Sequence, residues 1–334
     1  MPPAGYNGSI EPQSILCLIV ADDLTGACDA AVPFAIRGYR ANVLLDLARP
    51  ELHAGVLAVS TDSRNRPSCD LAAVASAFHQ LQPRIIFKKI DSLLRGNAGP
   101  EIVAALAAFG CDNAIITPAF PGTGRIVESG HLRVTEGPDF PPIDVAAHFR
   151  PHGLECFLAG DIITDEHLDR LVATHLAGGR RMLWTGTGGL AAALARALPP
   201  GGADPLVCAG PPGPVPVLFV IGSDHPVTLE QQRRLVAARP SSAILRLPCE
   251  SWCEKLVQAR ATTGALFLSG GDTATAVCRA IGARAIELED EISTGLPRGH
   301  LIGGLFDGVP VATKSGAFGP PDALIQVAEY FTCR

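Results

Sequence analysis

Lysine is scarce in this chain: of 27 basic residues only Lys88, Lys89, Lys255 and Lys314 are lysine, and 23 are arginine. No broad basic surface exists either, because the formal net charge is −6 and the pI near 5.8. Nucleic acid is therefore not an expected partner, and an anionic ligand must be held locally. The ten cysteines never form a CxxC pair, and the one close spacing, Cys249 and Cys253, has no histidine beside it. Zinc is disfavoured, and the cysteines read as reduced core residues. The first apolar run, "SILCLIV", follows no basic segment and is too short for a signal peptide or a membrane span, which predicts a cytoplasmic protein without a membrane partner. None of the nine histidines pairs with an obvious serine or cysteine nucleophile, so hydrolase triads have no support. The glycines of "WTGTGGLAAALA" (184–195) do not fit a dinucleotide fingerprint with an acidic partner, which counts against a nicotinamide-dependent oxidoreductase.

What is present is alternation. Apolar runs rich in Ile, Val and Leu recur at 14–20, 42–45, 55–60, 84–88, 113–117, 181–185, 217–221, 243–247, 264–268 and 309–313. Many are separated by alanine-rich stretches of helical spacing, as in "DLAAVASAFHQL" and "GPEIVAALAAFG". Buried strands alternating with helices imply parallel sheets. At 334 residues and 47% hydrophobic the chain is long enough for two domains. A Pro/Gly-rich break near 198–216 divides it. The expected fold class is α/β, with two domains that each carry a mainly parallel sheet flanked by helices and an active site in the cleft between them. The expected boundaries are 1–205, a linker at 206–216, and 217–334; a homo-oligomer is left open. The stretch from "EGPDFPP" to "HFRPHG" has no period and reads as irregular.

The runs end in polar clusters, and ligands of open α/β sheets bind beyond the carboxyl ends of strands. "ADDLTG" places Asp22 and Asp23 where a buried strand stops, although neighbouring carboxylates repel. "TDSRNRP" adds Arg64, with Asp62 or Ser63 as a rival cap for the next helix. "FKKIDSLLRGN" brings Lys88, Lys89, Asp91, Ser92 and Arg95. Strand alternation sends Lys89 and Asp91 to one face and Lys88 to the other, and Arg95 is a fork suited to a carboxylate. A helix should begin near Pro100. "PAFPGTGR" sets Arg125 behind two glycines, where backbone amides could approach an anion. In the second half, "SGGDTAT" offers Gly270, Gly271, Asp272 and Thr273 at a strand-to-helix turn suited to phosphate, with a capping role for Asp272 as the alternative. "TKSGAFG" pairs Lys314 with Ser315 but fails the P-loop pattern, because Thr313 stands where glycine is required. His225 of "GSDHP" is the one histidine near a candidate site, with a turn role favoured.

Taken together, "ADDLTGACDAA", "TDSR", "KKIDSLLRGNAGPEI", "PAFPGTGR", "GSDHPVTLEQQ", "GGDTATAV", "GLPRGHLIGG" and "TKSGAFG" resemble the four-carbon acid sugar kinases in order and over nearly the whole chain. The resemblance implies an N-terminal domain that binds the sugar acid and a C-terminal domain that binds ATP with Mg²⁺. It implies that Asp22, Asp23, Arg64, Lys89, Asp91 and Arg95 face the acid, and Ser92 and Arg125 are read as further substrate-binding residues. In-line phosphoryl transfer then calls for a carboxylate base, with Asp22 or Asp23 orienting the hydroxyls, Asp91 the rival base, and Arg64 and Arg95 on the acid's carboxylate. Ser223, Gly270, Gly271, Asp272, Thr273, Lys314, Ser315, Gly316 and Gly319 would face the nucleotide. Metal ligands stay unassigned. The chain departs from the family by being shorter after "PAFPGTGR", by Leu93 where threonine is usual, and at Asp224 and His225. A non-catalytic sugar-acid or nucleotide-binding regulator is the alternative function.

Overall fold

A computed structural model of the chain describes residues 15–45, 55–66, 70–136, 140–176, 181–202 and 214–332. Most of the expected linker, and Cys69, Cys208 and Cys333, lie outside the described residues. In chain order the first half runs β1 (Cys17–Ala21), α1 (Leu24–Ile36), β2 (Ala41–Leu44), β3 (Val56–Ser60), α2 (Leu71–Phe78), β4 (Ile85–Lys89), α3 (Ala98–Phe109) and β5 (Asn113–Thr117). It continues with β6 (Arg125–Glu128), β7 (His131–Val134), β8 (Ile143–Asp144), α4 (Val145–Phe149), α5 (Asp165–Leu176), β9 (Met182–Gly186) and α6 (Gly188–Ala197). The second half opens with β10 (Val217–Ile221), α7 (Pro226–Ala238), β11 (Ala243–Arg246), α8 (Trp252–Ala259), β12 (Ala265–Ser269) and α9 (Gly271–Ala280). It ends with β13 (Ala285–Glu291), β14 (Pro297–Ile302), β15 (Pro310–Lys314) and α10 (Ala323–Thr332).

Each of the ten apolar runs forms a strand, as buried Ile/Val/Leu segments between helices should. Strands β13 and β14 carry too many polar residues to register as apolar runs, and they are antiparallel. The stretch read as irregular holds β8 and α4, elements too short to show a period, with Asp144 capping α4 through the Ala147 amide. Cys17, Cys28, Cys111 and Cys278 are buried as expected, whereas Cys156 and Cys253 are exposed and Cys249 half-buried, because they sit in or beside short helical turns at the surface.

The strands order as β11-β10-β12-β15-β14-β13-β2-β3-β1-β4-β9-β5, so the two parallel halves join through antiparallel pairing of β13 with β2. That pairing runs from Ala285 opposite Leu44 to Leu288 opposite Ala41. Across the antiparallel centre the strands of one half point opposite to those of the other, which alone would send their carboxyl ends to opposite edges. Sheet twist works against this: six steps separate β12 from β1, and at roughly 20–25° per step twist of the usual size would rotate the strand directions by about 130°. The carboxyl ends of the two halves do meet, where Asn65 contacts Asp272 and Asp62 contacts Arg279. Helix α1 occupies the joint. It is mostly apolar, with Thr25 and Asp29 the exceptions, is buried from Leu24 to Val32, and packs on β3, β13 and α9, as a helix enclosed on most sides must.

Candidate active site

Asp22 and Asp23 follow β1 directly and are both 4% exposed. Asp23 caps α1: its Oδ1 accepts from the Gly26 amide at 2.7 Å and its Oδ2 from Thr25 Oγ1 at 2.9 Å. Gly26 is needed there, since a side chain would place its first carbon 2.5 Å from Asp23 Oδ1. The repulsion between the pair is met by Arg64. Its Nε and Nη2 donate to the two oxygens of Asp22, each at 2.8 Å, and its Nη1 to Asp23 Oδ2 at 2.7 Å. The guanidinium also lies 3.6 Å from Asp91 Oδ1. The cap expected of Asp62 or Ser63 is supplied instead by Asp70, which caps α2. Asp62 instead pairs with Arg66 and, in the second half, with Arg279.

Asp91 accepts from Arg95 Nε at 2.8 Å and Nη2 at 2.7 Å, and from the amides of Leu93 and Arg95. Burial alone would raise its pKa, but these bonds and Arg64 hold it well below the usual carboxylate range. For Asp23 the balance is the reverse: burial pushes its carboxyl up, aided by Asp22 and opposed by Arg64 and Lys89. The forks expected to meet a substrate carboxylate thus meet protein carboxylates.

The two lysines divide as strand alternation requires. Lys88 turns into the core, where its Nζ lies 2.6 Å from Glu101 Oε2, while Glu101 Oε1 accepts from Ser63 Oγ. Lys89 faces the site, donates to the Ile90 carbonyl at 2.9 Å, and stands 4.0 Å from Asp29 Oδ2. Helix α3 begins at Ala98, two residues before Pro100. Asp29, Lys89, Asp91, Ser92, Asp23, Arg64 and Ser315 surround a polar recess of about 10 Å³, room for one water. Burial raises the Asp29 carboxyl to about 6.

In the second half the ends of three parallel neighbours, β10, β12 and β15, converge. Ser223 lies against Gly270 and Gly316, and Gly222 against Thr273. Gly270 rather than Asp272 holds the cap position of α9. Asp272 accepts from Asn65 Nδ2 of the first half at 3.0 Å. Gly271 touches the first half more closely: a side chain there would bring its first carbon 2.3 Å from Asp23 Oδ2. The two half-sites thus meet at Asp23 and Gly271.

Lys314 is 1% exposed and lies beneath the loop that follows it. Its Nζ donates to Thr228 Oγ1 and to the carbonyls of Ser315, Gly316 and Phe318, at 2.9–3.3 Å. Gln231 Nε2 holds the carbonyls of Phe318, Gly319 and Pro320 from the same side. Burial pushes the Lys314 ammonium down to about 7. A peptide's N–H points opposite to the preceding C=O, so the amides of Gly316, Ala317 and Gly319 face away from Lys314. Successive outward amides form an anion-binding concavity.

Beside the recess a cavity of about 760 Å³ opens between the halves. Leu93, Arg125 and Phe140 line it on one side; His225, Val227 and Pro320 line it on the other. His225 caps α7 by accepting the Val227 amide, and burial lowers its pKa. Arg125 stands apart from the Asp22–Asp23–Asp91 group. The residues the sequence reading passed over are Asp29, Asn65, Glu101, Thr228 and Gln231. Asp29 and Glu101 had a signal, being lone carboxylates on apolar helical stretches.

Residues 17–144 match the model of a sugar-binding N-terminal domain and 250–324 that of a nucleotide-binding C-terminal domain. A D-threonate kinase of Bordetella bronchiseptica is 31% identical across 93% of this chain and 96% of its own length. The chain belongs to the four-carbon acid sugar kinase family. As a member it is a phosphotransferase acting on an alcohol group of a sugar acid, with a nucleotide as the second substrate. A D-erythronate kinase of Heliobacterium modesticaldum is 27% identical over 94% of this chain and 97% of its own. A 3-oxo-tetronate kinase of Actinobacillus succinogenes is 33% identical over 35% of this chain and 31% of its own. Among solved structures, proteins of Salmonella typhimurium and Haemophilus influenzae share the fold of this sugar acid kinase. They are 19% and 17% identical, with TM-scores of 0.69 and 0.63, and cover 96% and 94% of this chain and all of theirs. Among the described residues no helix is long and apolar enough to cross a membrane.

Proposed function

We propose that this kinase transfers the γ-phosphoryl group of ATP to the terminal 4-hydroxyl of a four-carbon sugar acid such as threonate, erythronate or 3-oxo-tetronate, and that Asp23 is its base. The observation that carries this reading is the contact of the Asp23 carboxylate with Gly271, where the expected acid side and the expected nucleotide side meet. In the reaction the substrate oxygen forms a bond to the γ-phosphorus, the bond from that phosphorus to the ADP oxygen breaks, and the hydroxyl proton passes to Asp23. Asp91 is a poorer acceptor because Arg95 and Arg64 hold it ionised, and Asp22 has both oxygens on one guanidinium. Burial gives Asp23 the higher proton affinity that a base requires.

The nucleotide's phosphates would rest on the outward amides of Gly316, Ala317 and Gly319 and on the turn from Gly270 to Thr273, with Ser223 alongside. Lys314 acts from beneath, by holding the carbonyls that turn those amides outward. Mg²⁺ neutralises phosphate charge when it binds with the nucleotide. Among the described residues no group of three or more His, Cys, Asp or Glu could hold a metal ion, so phosphate oxygens would supply most ligands, with Thr273 and Ser315 offering hydroxyls of suitable chemistry.

The test is ADP release with Mg-ATP against a panel of four-carbon sugar acids and a no-acid control, run on the wild type and Asp23→Asn. Acid-dependent turnover that falls at least about 100-fold in kcat in the variant, with modest change in KM, supports the reading. Turnover in Asp23→Asn within a few-fold of wild type sinks the base assignment, and no acid-dependent turnover at all sinks the substrate class.

A further inference from the structure

A kinase for sugar acids must recognise a carboxylate, yet most cations of the first half-site are already engaged. Arg64 serves Asp22 and Asp23, Arg95 serves Asp91, and Lys89 stands next to Asp29. Lys88 is consumed by Glu101 in the core. A four-carbon acid that approached these groups would compete with protein carboxylates already held at close range.

Arg125 differs from all of them. It is 7% exposed, lines the 760 Å³ cavity, and forms no ion pair among the described residues. Its Nη1 donates to the Thr123 carbonyl of its own turn and its Nη2 to the Ala317 carbonyl of the opposite loop at 3.2 Å. Its guanidinium lies 5.0 Å from the centre of the Phe318 ring. Its Nε has no hydrogen-bond partner among the described residues. A buried guanidinium held only by carbonyls and a ring keeps an uncompensated positive charge, and burial lowers its pKa accordingly. The acidic groups it feels from a distance are Asp91 and Asp29 of the polar recess, and Glu136 at the cavity wall. Among the other cavity-lining residues Glu136 and Glu230 are acidic and His225 has a lowered pKa, so Arg125 is the one fixed cation in that lining.

We infer that Arg125 is the residue that reads the carboxylate of the sugar acid and thereby makes the kinase select acids over neutral polyols. The inference rests on the kinase reading above and assigns the carboxylate to the cavity wall instead of to Arg64 and Arg95. A guanidinium with free donors matches a carboxylate in a paired geometry that an ammonium does not reproduce. The carbonyls of Thr123 and Ala317 and the Phe318 face fix its orientation before the ligand arrives, which reduces the ordering cost of binding.

The experiment compares wild type, Arg125→Met and Arg125→Lys by steady-state kinetics with threonate, with the neutral polyol threitol, and with ATP varied. Calorimetric binding of threonate without nucleotide is measured in parallel. Arg125→Met should raise KM for threonate about 100-fold, at least about tenfold more than it changes KM for ATP, and should abolish any preference for threonate over threitol. Arg125→Lys should fall between, about 10-fold, because charge remains and the fork is lost. A rise in KM for ATP with threonate unaffected would overturn the inference in favour of a phosphate contact, and unchanged KM for both would overturn it outright. Should Arg125→Met fail to fold, judged by circular dichroism, Arg125→Lys alone decides by the same split. Should the wild type turn over no acid, the kinase reading fails; loss of threonate binding in the variants would still uphold the anchor, and unchanged binding would remove it.

Discussion

Replacing Lys88 by methionine should cost this protein more stability than its position outside the polar recess suggests. The ammonium is 1% exposed and the Glu101 carboxylate 4%, at 2.6 Å, so neither charge has water to fall back on. Removing one partner of such a pair leaves an uncompensated buried charge, at a cost of about 3–5 kcal/mol. Ser63 Oγ still donates to Glu101 at 2.6 Å, which favours the lower half of that range. The damage should reach the site as well. Ser63 and Arg64 both donate their amides to the Asp22 carbonyl, so a shift of Ser63 displaces the Arg64 fork and lowers kcat. The assay is guanidinium unfolding of Lys88→Met, Glu101→Leu and the double variant. The double variant removes both charges and should be clearly more stable than the sum of the single losses, by about 2 kcal/mol or more. A loss under about 1 kcal/mol for Lys88→Met, or strict additivity in the double variant, would refute the reasoning.

Gly271→Ala should lower kcat/KM for the acid about 100-fold, because the new carbon would lie 2.3 Å from Asp23 Oδ2 and must push the two half-sites apart; kinetics within about threefold of wild type would show that the contact is not needed for turnover. Asp29 has its carboxyl raised to about 6 by burial, with Glu291 and Asp23 adding to the rise and Lys89 and the Gly188 amide opposing it. Its folded pKa exceeds the unfolded one, so the stability it contributes is complete below about pH 4 and is lost as pH rises through about 6. Asp29→Asn cannot ionise, and should exceed the wild type by about 1–3 kcal/mol at pH 8 and match it at pH 4 in denaturant unfolding. A variant less stable than wild type at pH 8 would mean that the ionised form of Asp29 is held more favourably than its burial implies.

Much of the fold was legible because its strands are buried on both faces. The run "CLIVA" and its nine counterparts need no partner to be recognised as strands, and the alanine-rich stretches between them need little more to be recognised as helices. Strands β13 and β14 were not legible, since "AIELEDE" and "PRGHLI" are half polar and acquire strand character only from their neighbours. The site followed the same division. That aspartates, lysines and glycines at strand ends would form it was readable from type and position. The partner of each charge was not: Arg64 could have faced solvent, substrate or Asp22, and Lys314 could have faced a phosphate or its own loop. Sequence spacing restricts which residues share a strand end, and says nothing of residues 42 or 86 positions apart.

The sequence by itself determined the α/β class, the ten apolar strands, the helices between them and the residue types gathered at the carboxyl ends, because hydrophobic period and local turn chemistry act within a few residues. Tertiary structure alone decided that β13 and β2 would join the halves into one sheet and that Asp23 would meet Gly271 across them. It also decided which cations are consumed by protein carboxylates, as Arg64 and Arg95 are, and that Arg125 meets carbonyls and no carboxylate among the described residues. These outcomes depend on the pairing of segments far apart in the chain, whose relative positions follow from packing and sheet twist instead of from local preference.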